Sequence, residues 1–347
     1  MIYYIVPCLF WLAFCAWKTL YTATPLRWAQ YFFALPLILL AVLRGEVGTD
    51  TTVYLRNVQD IIQWGDRASS NEIGYELLVR ACALLTSDPR VVIALLSFLA
   101  AILFFVMVHR WDKGRCILSL LIIPVWFFDF TMNGLRMGIA FPLAVIAVLQ
   151  LKGKRVVLFY VLAIASISVQ MTASLLLLML LVAHRGIKLS GREIIYGALI
   201  GISTLYPAYY YFGDRILFKL LDYSFMSSPT SLSGVGPLTI SACACLFAIW
   251  ICDRRHRFLG FVFLLMQLAF FFGISSFTYA GLRLQEMVLF AQLLALSYWM
   301  IWPITKRRFG AVALLCCLLS MWSARNFVAS SGDPSAYIPY HFVWEQP

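Results

Sequence analysis

The sequence predicts an all-α, polytopic integral membrane protein of about twelve transmembrane helices. Three observations carry that expectation. Of the 347 residues, 62% are hydrophobic and only 12% are charged, about half the charge of a soluble domain. Apolar runs recur along the whole length, without the polar–apolar alternation of a membrane β-barrel. Basic residues gather in short clusters between those runs. The net charge of +11 therefore reads as loop charge and not as a nucleic-acid surface. The pattern gives one membrane domain, 1–347.

Candidate spans are 2–17, 28–43, 90–108, 116–131, 136–151, 155–168, 171–184, 193–212, 237–252, 258–275, 284–302 and 309–324. No basic region precedes the first, so it reads as a retained span and not a cleaved signal. One set of gaps holds Lys18/Arg27, Arg110/Lys113/Arg115, Lys152/Lys154/Arg155, Arg185/Lys188/Arg192, Arg254/Arg255/Arg257 and Lys306/Arg307/Arg308. That is most of the 27 basic residues, against Asp112, Glu193 and Asp253 alone. This side is expected to face the cytoplasm, with both termini outside. The other side then carries an outer loop over 44–88, a second over 213–237 and a tail over 325–347.

Within the first outer loop, Asp50 precedes an expected helix Thr51–Trp64. Residues 71–87 could be taken for a further span, but a crossing there would move the later basic clusters outside. With Glu72, Glu76 and Arg80 inside it, the segment reads instead as an amphipathic helix at the outer surface. Asp88-Pro89 then starts the next span, Asp88 as N-cap and Pro89 at the first helical position. The run 156–183 has basic clusters at both ends yet is too short for two full spans, which need roughly 40 residues. It should be a short hairpin turning near 166–172 beneath the outer surface. Non-helical backbone at that depth needs cover from protein or a water-filled cavity, so a recess with Gln170 near its floor is expected.

The nine cysteines lie mostly within apolar runs and form no Cys-x-x-Cys pair. They read as small buried hydrophobes, with no metal or other cofactor expected. His109, His184 and His256 stand in cytoplasmic basic clusters.

The chemistry-bearing candidates are charges at the outer ends of spans. They are Arg44 with Glu46 and Asp50, Asp129 with Arg136 around Asn133, Arg283 with Glu286, and Arg325. Arginine suits a diphosphate because its planar fork binds phosphate oxygens bidentately and stays charged. Carboxylates nearby could supply a general base, from Asp50, Glu72 or Glu46. The bland alternatives stay open: Asp50 as a helix cap, Arg283–Glu286 as a structural i,i+3 pair, and Arg136 snorkelling to headgroups.

Several short motifs occur in a fixed order. They are Arg44 through Gly48-Thr49-Asp50-Thr51 and Tyr54; Glu72-x-Gly74-Tyr75; Asn133-x-x-Arg136-x-x-x-Ala140; the short hairpin; Gly281-Leu282-Arg283; and Tyr337-Ile338-Pro339-Tyr340. This order resembles the EpsG-like/Wzy group of bacterial polysaccharide polymerases over most of the chain. The resemblance implies a fold like that of the multi-spanning, lipid-dependent (GT-C-like) glycosyltransferases. It implies transfer of a growing glycan from undecaprenyl diphosphate to a lipid-linked O-antigen or exopolysaccharide repeat unit, at the periplasmic face of the inner membrane. Membrane lipid and a chain-length regulator protein are the implied partners. Arg136 and Arg283, helped by Arg44 or Arg325, would hold the diphosphate. Tyr54, Tyr75, Asn133 and Glu286 become candidate substrate contacts. That group commonly has a histidine in the hairpin turn, in a Phe-His-x-Ser/Thr-Ala pattern. Here the turn reads Val169-Gln170-Met171-Thr172-Ala173, so no catalytic histidine is carried over and Gln170 is left to hydrogen-bond sugar or phosphate. A lipid-linked sugar flippase or secondary transporter, and an O-antigen ligase-like transferase, are the alternatives.

Overall fold

The computed structural model describes residues 2–21, 27–48, 50–64, 72–111, 115–185, 233–252, 254–275, 278–299, 305–328 and 340–345. No strand forms among them; an isolated antiparallel bridge pairs Arg44 with Phe342. The chain divides into two compact units, Met1–Leu177 with Trp302–Pro347, and Leu178–Ile301.

The larger unit is built from α1 (Ile2–Tyr21), α2 (Arg27–Val42), α3 (Thr51–Trp64), α4 (Ile73–Ala83), α5 (Pro89–Arg110), α6 (Arg115–Ile122), α7 (Leu135–Lys152), α8 (Val156–Val169) and the start of α9 (Ala173–Arg185). After α10 (Val235–Ile251), α11 (Arg254–Phe270) and α12 (Tyr279–Trp299), it is completed by α13 (Lys306–Val328) and residues 340–345. The last helix runs past the expected tail boundary at 325, since no helix breaker precedes Gly332-Asp333-Pro334 in the sequence.

The hub is α5, which packs on α2, α3, α4, α6 and α7. Its start is fixed as expected. The Asp88 carboxylate accepts from the Arg90 amide at 2.9 Å, and Pro89 occupies the first turn, where its missing N–H costs nothing. A buried aromatic cluster joins α5 to its neighbours, with Phe104 edge-on to Phe127 at 5.5 Å and Trp11 edge-on to Phe105 at 4.9 Å. Small buried residues on α7, Ala140, Ala144 and Ala147, let α8 approach closely. There Ser166 Oγ donates to the Ala140 carbonyl at 2.7 Å.

The second half of the expected span 116–131 is not wound as a regular α-helix. After α6 the chain winds as two π-helical segments, Ile123–Phe127 and Asp129–Asn133, before Gly134 ends the winding. Pro124 stands at the start of the first. It has no N–H and its ring crowds the preceding turn, which breaks the i→i−4 ladder at that point.

In the smaller unit α10, α11 and α12 pack on one another. Buried amides link them. Gln267 donates to the Gln285 carbonyl at 2.8 Å, and Ser241 Oγ donates to Gln292 Oε1 at 2.6 Å. Such bonds hold helices together where water is scarce.

Pro89–Arg110, Leu135–Lys152 and His256–Ser275 combine the length and hydropathy of a full crossing. Among the described residues, seven further apolar helices are shorter. The expected span 193–212 and most of the expected loop 213–237 lie outside the described residues. Large apolar side chains such as Leu9, Phe32, Val157, Ile164 and Met321 are exposed on helix surfaces, a pattern suited to lipid and not to water.

Candidate functional site

Arg136 organises one end of the larger unit. It enters on the first turn of α7, just after Gly134. Its Nη1 donates to Glu72 Oε2 at 2.8 Å, and its guanidinium carbon lies 5.8 Å from the centre of the Tyr75 ring. It also donates a hydrogen bond to the Tyr54 phenol. Glu72 occupies the N-cap position of α4, but its side chain makes no capping bond. The carboxylate faces the arginine instead. The buried phenols of Tyr54 and Tyr75, rings 6.1 Å apart, complete the cluster. Burial pushes both phenol pKa values up, with Arg136 opposing, so both stay neutral hydroxyls. A quarter of the Arg136 side chain remains exposed.

Local sequence puts these groups in place. On α3 the buried Tyr54, Val58 and Ile61 follow helical spacing. On α4 the same holds for Gly74, Tyr75 and Val79. Gly74 lies directly on the end of α8. A side chain there would place its Cβ 2.6 Å from the Ser168 carbonyl carbon and 2.7 Å from its oxygen. A three-residue connection, Gln170-Met171-Thr172, joins α8 and α9 where the turn was expected. Gln170 ends α8, and its side-chain amide donates to Thr172 Oγ1 at 3.2 Å. Its buried Oε1 has no hydrogen-bond partner.

Beside this cluster, Arg44 and Gly48 pack on the second π-helical segment. Arg44 is buried, and its Nη1 donates to the Thr131 carbonyl at 2.6 Å. Gly48 has φ +107°, and a Cβ there would fall 2.6 Å from Asn133 Oδ1. Asn133 is buried and donates to Asp129 Oδ1 at 3.2 Å. Asp50 stands just ahead of α3. Its carbonyl accepts from Tyr54 N at 2.9 Å, and its charge acts on the Tyr54 phenol.

The C-terminal residues close over the same segment. Gly45 N donates to the His341 carbonyl at 2.8 Å, and Val343 N donates to the Leu43 carbonyl at 3.0 Å. Tyr340 is buried, and its hydroxyl donates to the Leu40 carbonyl at 2.7 Å. Glu46 pairs with Arg90 at 3.4 Å beside a cavity of about 300 Å³.

The structure thus brings together Arg136, Glu72, Tyr54 and Tyr75, with Asp50 alongside. It ties Arg44 and Asn133 to the adjoining 129–133 segment and sends Glu46 to Arg90. In the smaller unit Arg283 and Glu286 pair with each other at 3.6 Å, the structural alternative raised for them. The side chain of Arg325 lies outside the described residues. Sequence reasoning gave no part to Thr131, Arg90 or Ser97. Arg90 alone left a trace, as a charge directly after Asp88-Pro89.

Fold and cluster define an all-helical membrane protein with an arginine–carboxylate–phenol group at one end of its larger unit. The chain belongs to the EpsG family, whose family model matches residues 27–342. EpsG is a Wzy-like polymerase family, and membership points to a polysaccharide polymerase. Comparison with curated proteins and with solved structures gave no significant match.

Proposed function

We propose that the protein polymerises undecaprenyl-diphosphate-linked oligosaccharide repeat units of an O-antigen or exopolysaccharide at the periplasmic face of the bacterial inner membrane. A hydroxyl of the incoming lipid-linked unit attacks the anomeric carbon of the growing chain. The bond from that carbon to the diphosphate breaks, and undecaprenyl diphosphate leaves with the electron pair. The acceptor proton passes to a carboxylate. The diphosphate is already a good leaving group, so positioning and charge neutralisation supply most of the acceleration.

One observation carries this reading beyond the family. A partly exposed arginine at the start of α7 is held by a carboxylate and two neutral phenols drawn from the starts of α3 and α4. In that setting Arg136 can present a guanidinium edge to a phosphate oxygen. Glu72 is engaged by Arg136 and Glu46 by Arg90. Asp50, whose charge acts on the Tyr54 phenol that Arg136 touches, is the proposed base, with Glu72 or Glu46 in its place if Asp50 only caps α3.

The test is a gel of surface polysaccharide from a deletion strain. Single-repeat product is expected. Loss of all repeat product would favour the flippase alternative, and unattached polymer the ligase alternative. Complementation with Arg136→Ala should leave the single-repeat pattern while the protein still inserts, and normal chain lengths in that strain would defeat the assignment.

A further inference from the structure

The cavity beneath residues 43–46 is separate from the Arg136 cluster. Its polar lining is Arg44, Glu46, Thr51, Asp88, Arg90 and Ser97, and the rest of its wall is aliphatic. At about 300 Å³ it sits at the lower end of small-molecule sites, which run roughly 300–1,000 Å³. Ser97 marks the depth, about 13 Å beyond Asp88 along the α5 axis.

The Ser97 hydroxyl is fully buried and has no hydrogen-bond partner. A hydroxyl inside a helix ordinarily donates to the carbonyl one turn back. Thr131 does so to Phe127, Thr239 to Val235 and Ser320 to Cys316. Ser97 does not, and the residue is among those that line the cavity. An unmet buried hydroxyl is costly, and a ligand hydroxyl in the cavity would satisfy it.

The charges select the kind of ligand. Two guanidiniums face two carboxylates, Glu46 and Arg90 are already paired, and Arg44 is engaged by the Thr131 carbonyl. A diphosphate would meet the Glu46 and Asp88 carboxylates. A neutral ring with hydroxyls on its rim and C–H groups on its faces matches both the polar and the aliphatic wall.

We propose that this cavity binds one sugar ring of the glycan chain, with its hydroxyls on Ser97 and on the Glu46–Arg90 pair. The identity of that chain rests on the polymerase reading above. The cavity would then hold the chain by a sugar while Arg136 acts at the diphosphate.

The experiment uses full-length protein in detergent and a lipid-free oligosaccharide, prepared from the host polysaccharide by partial hydrolysis and titrated calorimetrically. Wild type should bind saturably. Ser97→Ala should weaken binding about three- to tenfold with Tm unchanged or raised, since it removes an unmet hydroxyl. Ser97→Phe should abolish binding by filling the cavity. No saturable binding to wild type, or undiminished binding to Ser97→Ala, overturns the proposal. The polymerase reading is judged separately: long-chain polymer in the deletion strain ends that reading whatever the titration shows.

Discussion

Arg136 Nη1 meets Glu72 Oε2 at 2.8 Å across 64 residues of sequence. The contact ties the first turn of α7 to the first turn of α4, and both side chains are largely shielded, 25% and 12% exposed. Removing one partner leaves the other charge poorly solvated. Arg136→Ala should cost about 1–3 kcal/mol, below the roughly 3–5 of a fully buried pair. Arg136→Lys separates charge from shape. Lysine keeps the charge but loses the planar fork that serves Glu72, the Tyr75 face and a phosphate together. Arg136→Lys should therefore insert normally and leave single-repeat glycan on a polysaccharide gel. Long-chain polymer in that strain would show that a point charge suffices.

Gly74 sets the height of α4 above the end of α8. Its Cβ would fall 2.6–2.7 Å from the Ser168 carbonyl, and backbone cannot yield there as a flexible side chain would. Gly74→Ala should lift the α4 start from α8, carrying Glu72 and Tyr75 away from Arg136. The expected result is a loss of about 1–3 kcal/mol in stability and sharply reduced polymer, though no charged group has changed. Wild-type chain lengths in Gly74→Ala would show that the registry of α4 does not matter to the site.

What could be foreseen from the sequence was local. Thr51–Trp64 follows from Asp50 and the apolar spacing of Tyr54, Val58 and Ile61, and the structure has those bounds. Asp88-Pro89 announced the start of α5 because cap chemistry lies within three residues. The break between α8 and α9 at Gln170 came from charge and length, both countable along the chain. The π-wound stretch through Asp129–Asn133 was hidden, since hydropathy does not distinguish one helical winding from another. The contact of Arg44 with Thr131 and that of Glu46 with Arg90 join segments far apart in sequence, and no periodicity encodes them. For the same reason Glu72 and Arg136 were each nameable as candidates while their pairing was not.

Tyr340 and Leu40 lie 300 residues apart, yet the phenol donates to the Leu40 carbonyl at 2.7 Å. This anchors the C-terminal residues beside the Arg44–Phe342 bridge. Tyr340→Phe removes one hydrogen bond, worth about 1 kcal/mol net, and keeps the ring that stands edge-on to Tyr4 at 5.6 Å. Hydrogen exchange at the Gly45 amide, which donates to the His341 carbonyl, should rise by about fivefold or more. Amides in α5 should be unchanged. Unaltered exchange at Gly45 would mean that the bridge holds without the Tyr340 anchor.

Asp50 distinguishes a helix cap from a proton acceptor. It stands directly before α3, where aspartate and asparagine cap almost equally well and alanine costs about 1 kcal/mol. Its charge also reaches the Tyr54 phenol, which Arg136 touches. If Asp50 takes the acceptor proton, Asp50→Asn keeps the cap and loses the base. Its Tm should stay close to wild type while polymer disappears from the gel. Asp50→Ala should lose polymer and Tm together. If the residue only caps, the order reverses: Asp50→Asn makes full-length polymer and only Asp50→Ala is impaired, in proportion to its lower Tm. Measuring both variants for chain length and for thermal unfolding in detergent therefore assigns the role, because the two substitutions differ in capping and agree in lacking a carboxylate.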